Sequence, residues 1–187
     1  ENTAFENNRI INPDSSLRLI VNYLPSTLTI RTSEFLNNSI GVGNIISNYG
    51  NPNSPNIDSY VTTIEDTLFE GNDGQIALIS HRSANLLVER SSFTNNQIGS
   101  IISVTESATI NNSLFYGNEV NNVAYFGREN NLIPDELYFT NNTFSANTGN
   151  ALSFSSTGFE VMIGNNIVDG GLTNSCMLNG LISTGYN

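Results

Sequence analysis

The chain has 187 residues, which is the length of one domain or of one section of a repetitive protein. It contains six Arg, no Lys and 17 Asp plus Glu, and its net charge of −11 excludes a basic surface for nucleic acid or anionic lipid. Its 32 Asn, 22 Ser and 16 Thr make it polar through amides and hydroxyls, while regularly spaced Ile, Leu, Val and Phe predict a folded core. No segment reaches the roughly 20 apolar residues of a membrane-spanning helix, so we expect no direct membrane insertion.

The first predicted element is a motif, Phe-x-x-Asn, that recurs along the whole chain and indicates stacked repeats. Successive copies are separated by 30, 34, 24, 22, 29 and 24 residues, and a small polar turn-former lies two positions before each copy. The anchors, in chain order, are Phe5/Asn8, Phe35/Asn38, Phe69/Asn72, Phe93/Asn96, Phe115/Asn118, Phe144/Asn147 and the degenerate copy that begins at Val168.

A strand is predicted on each side of every anchor. The strand before it carries an apolar or β-prone pair, seven and five residues upstream, with the period of a half-buried strand. These pairs are Leu28/Ile30, Thr62/Ile64, Leu86/Val88, Ala108/Ile110, Leu137/Phe139 and Val161/Ile163. Second short strands are predicted within 43–46, 74–79, 99–104, 121–126 and 149–154. The stretch 11–26 contains Pro13 and Pro25 and makes the first coil the least regular.

Units of about 22 residues without helix predict an all-β fold, a right-handed parallel β-helix of about six to seven coils with no substantial α-helix. In such a solenoid the anchors form a Phe stack, and in-register Asn side chains form hydrogen-bonded ladders. We treat 1–187 as a single repeat domain, expected to be a section of a longer chain. Insertions at 48–56 and 127–136 are predicted corner loops, where solenoids usually bind partners.

The pairing of Phe-x-x-Asn with a downstream glycine and small apolar residues resembles the repeats of the polymorphic outer-membrane proteins. That family carries FxxN and GGA[ILV] motifs in a pectin-lyase-like right-handed parallel β-helix. All six Phe-x-x-Asn copies match the first motif, whereas Gly149-Asn150-Ala151-Leu152 is the nearest match to the second and no strict GGA occurs. The resemblance implies an exported β-helical domain in a cell-surface setting.

A carbohydrate-active β-helix is the alternative, either a polysaccharide lyase or a glycoside hydrolase whose catalytic coils are degenerate here or lie outside this segment. Hydrolysis needs a pair of carboxylates flanking the scissile bond, and β-elimination needs a cationic base. No Asp-Asp, Gly-His-Gly or Arg-x-Lys sequence occurs, and the chain has no Lys. We therefore expect no enzyme activity, no catalytic residue, no metal site and no cofactor.

The single histidine and the acidic residues allow both a functional and a structural interpretation. His81, followed by Arg82, is either an acid/base pair or a polar corner between strands, and the corner is favoured. Glu65 and Glu89 occupy equivalent positions in successive coils, so they repel each other unless a cation or Arg90 lies between them. A group of acids is either a calcium site or a solvated corner, and EF-type spacing is missing; its members are Glu65, Asp66, Glu70 and Asp73.

The cysteine, the tyrosines and the asparagines of three sequons also allow a functional and a structural interpretation. Cys176 is more typical of a small buried residue than of a reactive thiol. Tyrosines in different parts of their coils favour scattered surface aromatics over a platform for sugars; they are Tyr23, Tyr49, Tyr60, Tyr116, Tyr125 and Tyr138. Asn-x-Ser/Thr sequons at Asn37, Asn111 and Asn141 are potential N-glycosylation sites in a eukaryotic secretory pathway.

The sequence thus favours a non-catalytic structural or adhesive module of an extracellular or cell-surface protein. Such a module would provide rigid length and present corner loops to a protein or glycan partner. Self-association along the solenoid axis is also expected, because an interrupted β-helix exposes unpaired strand edges and a flat apolar end.

Overall fold

A computed structural model describes residues 1–9, 17–23, 27–49, 61–82, 85–127, 135–154, 159–169 and 181–183. Within these ranges the chain forms strands and no helix, and the strands lie in three parallel sheets. The sheets wind around one axis as a right-handed parallel β-helix of about six to seven coils, which confirms the predicted fold class. Across the described ranges, no helix is long and apolar enough to cross a membrane.

Each coil contributes one strand to each sheet in a fixed order, apart from the last coil, for which the structure describes no strand of the second sheet. The anchor sheet contains β1 (Ala4–Glu6), β4 (Glu34–Leu36), β7 (Leu68–Glu70), β10 (Ser92–Thr94), β13 (Leu114–Tyr116), β16 (Thr143–Ser145) and β19 (Ile167–Asp169). The second sheet contains β2 (Leu17–Tyr23), β5 (Gly43–Tyr49), β8 (Ala77–His81), β11 (Gln97–Val104), β14 (Glu119–Phe126) and β17 (Asn150–Phe154). The third sheet contains β3 (Leu28–Arg31), β6 (Val61–Glu65), β9 (Asn85–Glu89), β12 (Ala108–Asn111), β15 (Asp135–Thr140), β18 (Phe159–Gly164) and β20 (Leu181–Ser183).

The predicted Phe stack forms the centre of the anchor sheet. Phe5, Phe35, Phe69, Phe93, Phe115 and Phe144 pair in register, and this set is called the phenylalanine column. Neighbouring ring centroids are 4.7–4.9 Å apart and the rings are within 8° of parallel. Val168 continues the register opposite Phe144, but its side chain is 49% exposed. The seventh copy therefore keeps the pairing of the column without its burial.

The upstream pairs lie on the inner face of the third sheet. They pair in register from coil to coil, and nearly all of their side chains are buried. Ile45, Leu78 and Ile101 of the second sheet close the same core. Parallel sheets need both apolar ladders and cross-coil pairing, and the repeat supplies both.

Each of the two predicted corner loops is shortened at one end by a neighbouring strand. Strand β5 continues to Tyr49 and includes the first two residues of the predicted loop 48–56, and β15 begins at Asp135 and includes the last two residues of the predicted loop 127–136. The rest of the first loop, and 128–134 of the second, lie outside the described residues.

Two left-handed corners limit each of the first six anchor strands to three residues. Three positions before the anchor, the backbone has a positive φ at Asn2, Thr32, Asp66, Arg90, Asn112, Asn141 and Asn165. Two positions after the anchor, φ is positive at Asn7, Asn37, Gly71, Asn95, Gly117 and Ala146. Asn and Gly tolerate this conformation best, which explains their frequency on both sides of the motif.

Thr32 is the β-branched residue at such a corner, with a φ of 48°. A left-handed conformation costs an ordinary L-residue about 1–2 kcal/mol, and Asn occupies the equivalent corner in several other coils. We therefore expect Thr32→Asn to raise the free energy of unfolding by about 1 kcal/mol, measured by urea denaturation. Thr29→Asn, on the extended backbone of β3, is the matched control and should give no gain. An equal gain in both variants would contradict the strain argument.

Candidate binding surface

The Asn residues of the repeat form a buried column beside the phenylalanine rings. This asparagine column contains Asn8, Asn38, Asn72, Asn96, Asn118 and Asn147. Each Oδ1 from Asn38 onward accepts the backbone N–H and one Nδ2–H of the Asn in the preceding coil, at 2.8–3.1 Å. The other Nδ2–H bonds to a Phe carbonyl oxygen of the coil before, at 2.8–3.0 Å. Interior members of the column are thus saturated by four side-chain hydrogen bonds.

A second polar column consists of the small residues two positions before each anchor. The backbone N–H of Ser91 donates to the Ser113 hydroxyl at 3.2 Å, and the N–H of Ser113 donates to Asn142 Oδ1 at 2.9 Å. Ser91 and Ser113 are buried, and each hydroxyl also donates to the carbonyl oxygen two residues earlier. The predicted turn-formers therefore link the coils through buried hydrogen bonds.

The acids near the third sheet are neutralised by arginines. Glu65 and Glu89 are in register, as predicted from their spacing. Arg90 lies within 2.8 Å of Glu89 and 3.9 Å of Glu65, and its Nε is 2.8 Å from Asp66. Arg31 pairs with Glu65 at 2.8 Å. Of the two ways to relieve the repulsion between the glutamates, a cation or Arg90, the structure shows Arg90.

The acidic residues for which a calcium site was the alternative to a solvated corner do not come together in the structure. Glu65 and Asp66 bind arginines, whereas Glu70 lies on the anchor strand β7 and Asp73 follows it at the next corner. Among the residues that the structure describes, no three His, Cys, Asp or Glu side chains are placed to hold a metal ion.

The hydrogen bond from Arg90 holds the pKa of Asp66 below its ordinary value of 3.8. A carboxylate with a lowered folded-state pKa stabilises the fold above the unfolded pKa, and this contribution is lost as the pH falls through the folded pKa. We expect Asp66→Asn to be less stable than the wild type at neutral pH and equally stable in strong acid. Asn suits the left-handed corner, so backbone strain does not confound the comparison. Glu70→Gln, at an exposed site, is the control, and a stability difference that persists unchanged in acid would contradict the assignment.

His81 differs from the prediction because it lies in the core and not at a polar corner. It is the last residue of β8, is fully buried and pairs in register with Asn48 and Val104. Asn48 is also buried and donates from Nδ2 to the Thr62 hydroxyl. A small polar cluster therefore interrupts the apolar interior beside β5 and β8, at a place that solvent does not reach.

An open groove of about 500 Å³ runs along the corner between the anchor and second sheets. Its wall includes Asp73, Gln97 and Glu119, which are in register on three successive coils. Gly99 also lines the groove, and a side chain there would meet the carbonyl oxygens of Gln75 and Ile76 in the preceding coil. Gln97 separates the two carboxylates, so they do not lie on adjacent coils.

Two of the tyrosines do come together, contrary to the prediction that they are scattered. Tyr23 and Tyr49 end the strands β2 and β5 in register, and their ring centroids are 6.0 Å apart. Arg18 lies 4.4 Å from the centroid of the Tyr49 ring and donates to the Tyr49 hydroxyl at 2.5 Å, and Arg82 lies 5.6 Å from the same centroid. These four residues are called the tyrosine–arginine patch. Their spacing in sequence differs from that of the anchors, which is why the repeat pattern did not reveal them.

Within the described part of the chain, the remaining tyrosines form no second cluster. Tyr125 points away from its buried neighbours Ala124 and Phe126, as predicted. Tyr116 is 48% exposed on the anchor sheet, and the Tyr138 hydroxyl donates to Glu136, which raises its pKa. Cys176 and Tyr60 lie outside the described residues.

The three sequons lie at corners or strand ends. Asn37 and Asn141 are exposed at left-handed corners, whereas Asn111 is half-buried at the end of β12. The Asn111 Oδ1 accepts hydrogen bonds from the Thr140 hydroxyl and from Asn141 Nδ2. Asn37 and Asn141 are therefore the more accessible of the three for modification.

No protein-family model matches the chain, and a search of curated proteins found no match.

Proposed function

We propose that the chain is a non-catalytic structural and adhesive module of an extracellular or cell-surface protein. The observation that carries this proposal is the unbroken phenylalanine column, with the saturated asparagine column beside it. A coil held to the next by stacked rings and amide bonds cannot slide or bend without breaking buried contacts. Such a unit suits a rigid spacer that presents one face to a partner.

The arrangement of the polar residues supports a role without chemistry. His81 is enclosed in the core, and Glu65, Asp66 and Glu89 contact arginines rather than an open cleft. General acid–base catalysis needs such groups within reach of a substrate. The resemblance to the polymorphic outer-membrane protein repeats supports the same proposal, together with the cell-surface setting.

The test of this proposal is a search for turnover of acidic glycans. Polygalacturonate and alginate should remain intact in the presence of the full chain, with and without calcium, when reducing ends and unsaturated products are measured. Release of either product by the wild type, and its loss in a Glu119→Gln or Asp73→Asn variant of the groove, would establish a carbohydrate-active enzyme instead.

We also propose that copies of the module associate along the solenoid axis. The exposed Ile167 and Val168 of β19 support this proposal, since apolar side chains on the last described anchor strand offer a surface that a second copy can cover. The net charge of −11 should oppose association at low salt and permit it as screening increases. Sedimentation velocity at rising ionic strength measures this, and a chain that stays monomeric at high salt and high concentration would contradict it.

A further inference from the structure

We propose that the tyrosine–arginine patch binds the carboxylated terminal sugar of a glycan. This inference rests on the proposed adhesive function and names the partner class for the surface where β2, β5 and β8 end. It commits to a short, singly charged glycan end, and other anionic ligands are outcomes of the test.

The aromatic half of the patch offers a flat, accessible face. Tyr23 is 66% exposed, the largest exposed fraction among the exposed large apolar and aromatic side chains of the described residues. Its ring stacks on Tyr49 in the next coil with an angle of 23° between the planes. An aromatic ring held by a neighbour presents an apolar body with a polar hydroxyl at its tip, which matches the C–H face and the hydroxyl groups of a sugar ring.

The cationic half selects for a carboxylate. Arg18 and Arg82 are two of the six arginines of the chain, and both lie within 5.6 Å of one tyrosine ring. Within the described residues, no carboxylate pairs with Arg18, and its Nε is buried without a hydrogen-bond acceptor. A planar guanidinium binds a carboxylate through paired N–H donors, so the patch has the donors for one acidic sugar.

The charges around the patch strengthen the preference for a ligand with one negative charge. The described strands of the second sheet contain a single carboxylate, Glu119, which is the first residue of β14 and lies at the opposite strand end from the patch. Glu106 follows β11 in the coil after Arg82 and lies at the same strand end as the patch, so the two arginines outnumber this carboxylate by one, whereas the whole molecule carries a charge of −11. At physiological salt, charges interact over about 8 Å, so one bound anion experiences the arginines, while a long polyanion also meets the negative body. The electrostatics thus favour a terminal acidic sugar over an acidic polysaccharide.

The test compares sialyllactose with lactose, which lacks the acidic sugar, by saturation-transfer NMR on the full chain. We expect sialyllactose to bind and lactose not to bind. Arg82→Gln and Tyr23→Ala should each weaken binding about tenfold or more, because one loses a charge-assisted hydrogen bond and the other the stacking face. Both side chains are exposed at the surface, so these variants should keep the wild-type circular dichroism and melting temperature.

Two matched controls separate the patch from general surface effects. Arg9→Gln makes the same change of charge at an exposed site on another face, and Tyr116→Ala removes an exposed aromatic ring from the anchor sheet. Neither should alter binding. The proposal is overturned if sialyllactose does not bind, if lactose binds equally well, if Arg9→Gln is as damaging as Arg82→Gln, or if polygalacturonate displaces sialyllactose at a lower concentration of carboxylate. None of these binding results depends on the release of reducing ends. A failure of the glycan-binding proposal can therefore be distinguished from a failure of the proposal that the chain is non-catalytic.

Discussion

Phe93→Ala will lower the free energy of unfolding by about 3–5 kcal/mol, measured by urea denaturation. The Phe93 ring is fully buried, and its centroid lies 4.9 Å from those of Phe69 and Phe115. Removing it opens a cavity between two rings that are fixed by their own coils. The surrounding backbone is locked in parallel pairing on both sides, so it cannot collapse into the gap.

The matched control is Tyr116→Ala, which removes an aromatic ring that points outward from the neighbouring anchor strand. Tyr116 is 48% exposed, and its loss should cost less than about 1 kcal/mol. If Phe93→Ala also cost less than about 1 kcal/mol, the assigned stacking of the column would be wrong.

Asn96→Ala should be similarly damaging, with a loss of about 4 kcal/mol. The Asn96 side chain accepts from the N–H and Nδ2–H of Asn72 and donates to Asn118 and to the Phe69 carbonyl oxygen. Alanine leaves both Asn72 donors buried without their acceptor and removes one hydrogen bond from the Phe69 oxygen. Each such group costs about 1–3 kcal/mol, and the cost greatly exceeds the net value of a single hydrogen bond.

Two comparisons isolate the hydrogen bonds from the loss of volume. Asn96→Leu keeps the size of the side chain and should be at least as destabilising, whereas Asn85→Ala at the exposed start of β9 should be nearly neutral. A leucine variant as stable as the wild type would show that the column contributes packing and not hydrogen bonding.

The fold was predictable because a β-helix repeats its requirements in every coil. A Phe at one position must be followed three residues later by an Asn, since the ring fills the core and the amide bridges the coils. The Phe and the Asn lie only three residues apart in every coil. The spacing of the motif alone therefore gives the register of Phe35 on Phe69 and of Asn38 on Asn72. The anchor segment was predicted as a turn-flanked Phe and proves to be a strand of its own sheet, the anchor sheet, because three residues between two corners are too few to show a strand period.

The candidate binding surface was not predictable, because its residues meet only through the insertions between coils. Tyr23 and Tyr49 are 26 residues apart, a spacing that no pair of anchors shares. The position of His81 escaped prediction for a related reason. Its face depends on where β8 begins, and the sequence 74–79 allows more than one start, so the side chain could point to either side of the sheet.

The asparagine column has a direction. Every amide–amide bond is donated from one coil to the coil that follows it in the chain, while the bond to the Phe carbonyl oxygen is donated the other way. If the column is cut between two coils, one cut face carries two donors and one acceptor, and the other carries two acceptors and one donor. Like faces cannot satisfy each other, whereas unlike faces match completely. Any assembly that extends the column must therefore join head to tail, and such a contact propagates as a polar fibre and does not close into a symmetric pair.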